Sequence, residues 1–279
     1  MQILDGKETA AEFRASCKET IKERVLKLEL AVITVGNDPA SEVYVRNKKK
    51  ACIEAGISFN HKVFDNATTT HEIVDYIETL NEDSNVTGIL VQLPLPNHIN
   101  EEVVLKAIDW KKDVDGFHPL NVGRLSQDKW CLEPCTPLGI EVLLDKYDIE
   151  VEGKHCVIIG RSNIVGKPMA MVMLSLDATV TVCHSHTHNL KDICKQADIL
   201  IVAIGQAKKI NKEYIKPGAV VIDVGMDRDE NGKLCGDVDF QDVKDVVSYI
   251  TPVPGGVGPM TVAGLLNNVI YADTIQKSF

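Results

Sequence analysis

Apolar positions along the chain change period several times, and each change predicts a change of element. In "KETAAEFRASCKETIKERV" they fall at Phe13, Cys17, Ile21 and Val25, four apart, which predicts an amphipathic helix with one buried stripe. "LELAVITVG" is a continuous apolar, β-branched run closed by glycine and predicts a buried strand. Across residues 39–56, "PASEVYVRNKKKACIEAG" reads as a helix, with proline suited to its first turn and glycine to its C-cap. "SFNHKVF" predicts a strand, "HEIVDYIETLNED" a helix, "VTGILVQLPLP" a strand stopped by prolines, and "EEVVLKAI" a helix. Strands alternating with helices imply parallel βαβ units with both sheet faces covered.

The pattern breaks across residues 109–137, a long stretch of turn residues with both tryptophans and no clear period. Long ordered connections of this kind are functional or inter-domain. "PLGIEVLLDKYDI" then predicts a connecting helix, and a second series follows: "HCVIIG", "NIVGKPMAMVMLSLD", "ATVTVCH", "LKDICKQA", "DILIVAIG", "GAVVIDVG" and "SYITPV". The final "MTVAGLLNNVIYADTI" is helical by its spacing. The expected organisation is a two-domain α/β protein, with residues 1–137 as the first domain and 138–259 as the second. The helix at 260–279 is expected to pack back on the first.

Composition narrows the function classes. A formal charge of -10 over 279 residues argues against a general nucleic-acid surface. No N-terminal apolar leader and no membrane-length apolar run occurs, so a cytoplasmic location is expected. The eight cysteines include no CxxC pair and read as small buried hydrophobes in a reducing compartment.

Candidate chemistry gathers in a few stretches. In the 39–56 helix, Tyr44, Lys48 and Cys52 share one stripe, so a phenol and an ammonium can meet one small ligand. A lysine can serve as acid or base once its surroundings change its pKa, although a lysine run is more commonly a solvated face. Gln92 stands near the end of a buried strand, where ligands of parallel sheets gather, or is a hydrogen-bonded core amide. Asp113 and Asp115 precede a glycine, which also fits a simple Asx-turn.

"VIIGRSNIVGKP" sets a strand against a helix start, an arrangement that presents backbone N–H groups to a phosphate. It is neither GxGxxG nor a Walker loop, since Lys167 is followed by Pro168. The next strand lacks the terminal acid expected for NAD, and Arg161 can pair with a 2′-phosphate instead, which favours NADP. His184, His186 and His188 alternate there, but no second ligand cluster follows at zinc-like spacing, so no metal is expected. "TPVPGGVGPMT" is rigid and lets a flat ligand approach the backbone.

Taken together, "PASEVYVRNKKKAC", "GILVQLPLP", "KDVDGFHPLNVGRL", "PCTPLGI", "VIIGRSNIVGKPM", "VIDVG", "GDVDF" and "TPVPGGVGPMTVAGLL" resemble the bifunctional methylenetetrahydrofolate dehydrogenase/methenyltetrahydrofolate cyclohydrolase family, in family order and over most of the chain. The resemblance implies an N-terminal α/β folate-binding domain, a C-terminal Rossmann-like NADP-binding domain with a parallel sheet, and a homodimer. It implies Lys48 as the catalytic lysine, Tyr44 as its partner, Gln92 as the residue that holds Lys48, and Asp115 as the pterin anchor. Leu93, Pro254 and Gly255 are implied in folate contact. Gly160, Arg161 and Ser162 are implied at the cofactor phosphates, Ser185 near the 2′-phosphate, and Met226 on the nicotinamide side.

The family commonly continues the "VDVG" strand as "VGIN", whereas this chain reads Gly225-Met226-Asp227. That places Asp227 either beside the cofactor or in solvent. Two further readings are a dehydrogenase without the hydrolytic activity and a non-catalytic NADP- or folate-binding protein. A short-chain dehydrogenase is rejected by order, because Lys48 precedes Gly160.

Overall fold

The computed structural model describes residues 1–278, which divide into two compact units. In chain order the strands are β1 (Gln2–Ile3), β2 (Glu29–Val35), β3 (Ser58–Phe64), β4 (Gly88–Val91), β5 (His155–Ile159), β6 (Thr179–Cys183), β7 (Ile199–Val202), β8 (Val220–Asp223), β9 (Asp227–Arg228), β10 (Leu234–Cys235) and β11 (Tyr249–Ile250). The helices are α1 (Gly6–Glu23), α2 (Pro39–Ala55), α3 (Thr70–Glu82), α4 (Glu101–Ala107), α5 (Pro119–Leu125), α6 (Cys135–Lys146), α7 (Gly166–Ser175), α8 (Leu190–Cys194), α9 (Phe240–Val243) and α10 (Val257–Ser278).

One unit comprises Ala11–Cys135 and the chain from Val262 onward. Its parallel sheet has the order β3-β2-β4. The apolar run of β2 is buried on both faces because successive side chains point opposite ways. Leu30 and Val32 join a core with residues of α1, α2 and α10, whereas Ala31 and Ile33 join another with residues of α3 and α4.

The stripe predicted for α1 is cut short. Cys17 and Ile21 are buried, but the helix stops at Glu23 and Val25 is 80% exposed with φ +51°. Leu26 N donates to the Ile21 carbonyl at 3.0 Å, so Val25 occupies the left-handed cap of a helix end rather than its buried face. The ends of α2 follow the expected chemistry. Asp38 accepts from Ser41 N at its start, and Gly56, with φ +91°, closes it.

The other unit comprises Met1–Ala10 and Thr136–Thr261. Its six-stranded parallel sheet has the order β1-β11-β8-β7-β5-β6, beside a short antiparallel hairpin of β9 and β10. The expected boundary at residues 1–137 is therefore corrected at its beginning. Gln2 aligns with Tyr249 and Ile3 with Ile250, so the first strand belongs to the second sheet. Two residues are too few to carry a period, which is why sequence pattern misses them. β5 lies between β6 and β7, so the strand order reverses there. In open α/β sheets the crevice beyond the strands' carboxyl ends at such a reversal is the ligand position.

Candidate active site

Along α2 the stripe grades from water to core: Tyr44 is 41% exposed, Lys48 half-buried and Cys52 fully buried. Lys48 Nζ donates to Gln92 Oε1 at 3.1 Å. Gln92 directly follows β4, and its Nε2 donates to the Leu93 carbonyl at 2.8 Å. A carbonyl can only accept, so that bond fixes the amide and leaves Oε1 for the lysine. The neighbours of Lys48 behave differently. Lys49 and Lys50 are exposed, and Lys50 pairs loosely with Glu54 at 3.8 Å.

Asp115 is presented by a loop that is pinned at several points. Lys112 is buried, and its Nζ donates to the carbonyls of Leu80, Asn81 and Asp83 at 2.9, 2.9 and 2.7 Å. These lie at the C-terminal end of α3, where carbonyls lack helical partners and a cation is favoured. Burial lowers the Lys112 pKa, and the nearby Asp109 and Asp83 charges oppose that. Asp113 is also buried and accepts from His118 N at 2.7 Å and Asn121 Nδ2 at 2.9 Å. Burial pushes its carboxyl up to about 7 against the pull of those donors.

Asp115 itself is raised by desolvation, while the Lys48 charge and the Cys135 thiol act the other way. Cys135 Sγ lies 3.7 Å from Asp115 Oδ1 and donates to the Val114 carbonyl at 3.2 Å. Asn268 Nδ2, on α10, donates to the carbonyls of Val114 and Glu133 at 2.8 and 2.6 Å. Lys48, Gln92, Asp115 and Cys135 thus form one electrostatic cluster. Cys135 and Asn268 were not candidates by sequence. The only signal available was a buried asparagine in the otherwise apolar run "GLLNNVIY".

Gly160, Arg161 and Ser162 follow β5 in the other unit. Gly160 has φ +130°, and a Cβ there would stand 2.3 Å from the Ala203 carbonyl oxygen, so only glycine lets the loops after β5 and β7 meet. Ser162 Oγ accepts from Val165 N at 3.1 Å and Gly166 N at 3.3 Å at the start of α7, which leaves its own hydroxyl hydrogen to donate. Arg161 is exposed beside it. A side-chain-free turn, a helix start, a hydroxyl and a guanidinium fit an anionic dinucleotide.

Ser185 is exposed just beyond β6, and Met226 is 43% exposed. The rings of His184 and His186 meet edge to face at 6.0 Å. No group of three His, Cys, Asp or Glu among the described residues is arranged to hold a metal. Pro254 is exposed, and Gly255, with φ +109°, accepts from Lys7 N at 2.9 Å. Pro254 and Gly255 belong to this unit, whereas Tyr44, Lys48, Gln92, Leu93 and Asp115 belong to the first. Asp227 is neither solvent-directed nor free: it is half-buried against Asp237.

Comparison with known proteins gives a consistent result. Residues 4–115 match the family described as tetrahydrofolate dehydrogenase/cyclohydrolase, catalytic domain, and residues 134–277 match the NAD(P)-binding domain of the same family. The bifunctional protein FolD of Lachnoclostridium phytofermentans is 57% identical over 272 residues, covering 96% of each chain. The crystal structure of a bifunctional FolD methylenetetrahydrofolate dehydrogenase/cyclohydrolase from Campylobacter jejuni superposes with a TM-score of 0.96 at 49% identity, covering 99% of each chain. A Trypanosoma brucei methylenetetrahydrofolate dehydrogenase-cyclohydrolase, complexed with NADP cofactor and inhibitor, gives a TM-score of 0.92 at 36% identity. That match covers 99% of this chain and 98% of the other.

Proposed function

The chain belongs to the tetrahydrofolate dehydrogenase/cyclohydrolase family, and from that premise we propose how its residues divide the work. It is a bifunctional enzyme that oxidises 5,10-methylenetetrahydrofolate to 5,10-methenyltetrahydrofolate with NADP and hydrolyses that product to 10-formyltetrahydrofolate. NADP, when bound, accepts the hydride. The Gly160 turn, Arg161 and Ser162 hold its phosphates, Ser185 lies toward the 2′-phosphate, and Met226 is on the nicotinamide side.

Lys48 carries the proton transfers of the hydrolytic half. The observation behind this is its 3.1 Å bond to Gln92, whose amide is itself fixed by Leu93. A lysine held at a fixed place by an amide acceptor is positioned to pass a proton to or from a substrate bound beside it. Tyr44 stands one turn before it on the same helix face. Asp115 anchors the N–H groups of the pterin, and Leu93 contacts the folate ring. Pro254 and Gly255 are assigned to folate on the match of "TPVPGGVGPMT" to the family motif alone.

The Lys48→Met enzyme tests the central assignment. Methenyl hydrolysis is expected to fall by at least ~100-fold, the scale of a lost general acid–base group. Hydrolysis at the parental rate would remove Lys48 from the mechanism. A lower kcat/KM with NADP+ than with NAD+ would remove Arg161 from its role.

The homodimer rests on the family resemblance and is tested by mass measurement in solution. Cytoplasmic residence is supported by eight buried free cysteines. No helix among the described residues is long and apolar enough to cross a membrane.

A further inference from the structure

A cluster of three carboxyl groups, two of them on buried residues and the third on half-buried Asp227, lies behind the loop that follows β7. Asp237 is fully buried, and its two oxygens accept from Gln206 N at 2.5 Å and Ile204 N at 2.8 Å. Those two amides define the 203–206 loop. Ala203 in that loop is the residue that Gly160 approaches too closely to tolerate a Cβ. The carboxyl of Asp237 therefore sets the position of one wall of the crevice between β5 and β7.

Against Asp237 stands the carboxyl of Asp227, the first residue of β9. Asp227 Oδ2 is buried and has no hydrogen-bond donor among the described residues. Two facing carboxylates repel, and neither can donate to the other unless one carries a proton. Backbone N–H groups already serve both Asp237 oxygens, so the proton belongs on Asp227, whose O–H then donates to Asp237.

Among the described residues, the neighbouring charged groups are engaged elsewhere. Asp223, at the end of β8, accepts from Gly225 N, Asp237 N and Val238 N, each at 3.0 Å, and burial pushes it up to about 7. Lys208 is paired with Asp229 at 3.1 Å, and Arg228 Nη1 is bonded to the Gly232 carbonyl. Cys235 is a thiol raised by burial, and Asp239 caps α9. Desolvation, followed by the charge of Asp237, raises the Asp227 pKa, in the direction that the geometry requires.

We propose that Asp227 and Asp237 are positioning residues for the dinucleotide site: they share one proton, and that proton holds the 203–206 loop in its binding geometry. Loss of the proton to solvent leaves two adjacent charges and drives the β9–β10 hairpin and the loop apart. This proposal rests on the assignment of NADP to the β5–β7 crevice.

Asp227→Asn supplies the test, because its amide N–H donates to Asp237 at every pH. Two measurements are made from pH 5.5 to 8.5. The first is hydrogen–deuterium exchange of the 203–206 segment in ligand-free protein, corrected for intrinsic exchange. The second is the Kd of NADP+ by calorimetry. In the parent, protection falls and Kd rises by roughly three- to tenfold as pH rises, as expected for a proton bound more tightly in the competent form. In Asp227→Asn both traces are flat apart from the titration of the ligand's own 2′-phosphate, which is common to both proteins and cancels in their ratio. Asp227→Ser, which also lacks the second charge, is likewise flat and serves if the asparagine variant folds poorly. Parallel pH profiles in parent and variants overturn the shared proton. If the parent fails to bind NADP+ at any pH, the cofactor assignment fails, while the ligand-free exchange still reports on the acid pair.

Discussion

The tripeptide Asp-Val-Asp occurs at 113–115 and again at 237–239, and the two copies differ in the side chains that face them. In the first, Asp113 is tied to Asn121 and the His118 amide, and Asp115 faces the Lys48 charge. In the second, Asp237 is tied to two backbone amides and faces the acid of Asp227, while Asp239 caps α9. Desolvation raises Asp113 and Asp115 at the first copy, and at the second it raises Asp227, the acid that Asp237 faces. A neighbouring lysine opposes that at Asp115, in the direction that favours an anion facing a ligand's N–H groups. A neighbouring acid adds to it at Asp227, in the direction that favours the proposed proton. The same three letters therefore give a ligand anchor in one unit and an internal brace in the other.

The sharpest way to break this contrast is at Gly236, which precedes the second copy. A Cβ there would stand 1.9 Å from Asp223 Oδ2, a contact no local adjustment absorbs. Gly236→Ala is expected to lower unfolding free energy by about 4 kcal/mol, at the top of the range for overpacking and a broken buried network. Urea unfolding measures this, and a loss below about 1 kcal/mol would mean that the acid cluster is looser than described.

At the first copy, Asp113→Ala leaves the His118 amide and the Asn121 side chain without their buried acceptor. We expect a loss of about 3 kcal/mol in the same assay. The KM for folate should rise with it if the loop that presents Asp115 slackens.

Acidity separates the copies more finely. The Asp113 carboxyl is raised to about 7 in the folded protein, above its unfolded value, so the native state binds more protons than the unfolded chain between those two values. Its contribution to stability is full at low pH and is lost as pH rises toward 7. Relative to Asp113→Asn, the parent should lose about 3 kcal/mol between pH 4.5 and pH 8. A constant difference across that range would show that Asp113 stays ionised.

The smallest expected effect is Asp239→Ala. It removes only a side-chain cap from a four-residue helix and should lower stability by about 1 kcal/mol, visible as a modest shift of Tm.

Much of the architecture was legible because apolar runs such as those of β2, β4, β5 and β7 are buried on both sheet faces and need no partner to be recognised. What escaped were elements too short to show a period. β1, β9 and β10 have two residues each, and α5 lay hidden in the irregular 109–137 stretch although Pro119 marks its first turn. Val25 fitted a four-residue repeat but took a left-handed cap, since spacing does not report where a helix stops.

In the candidate site, Lys48 and Gln92 stood out by residue type, and the structure places them in direct contact. Asp227 did not: its partner, Asp237, is ten residues away across a hairpin turn, and only coordinates show two acids face to face. Cys135 and Asn268 were equally hidden, because their role is to hold backbone carbonyls of another segment.

The placement of β1 beside β11 bears on how the protein is made. During synthesis Gln2 and Ile3 are made before every other described strand, and their neighbours at Tyr249 and Ile250 after every other one. The three-stranded unit, in turn, receives α10 only after the other described elements have been translated. Neither unit is a contiguous piece of nascent chain, so neither closes its core early in translation. Contacts this distant in sequence slow folding and prolong the exposure of open sheet edges. A fusion or deletion at the first ten residues should therefore be felt by the nucleotide-binding half, and by its yield from the ribosome before its chemistry.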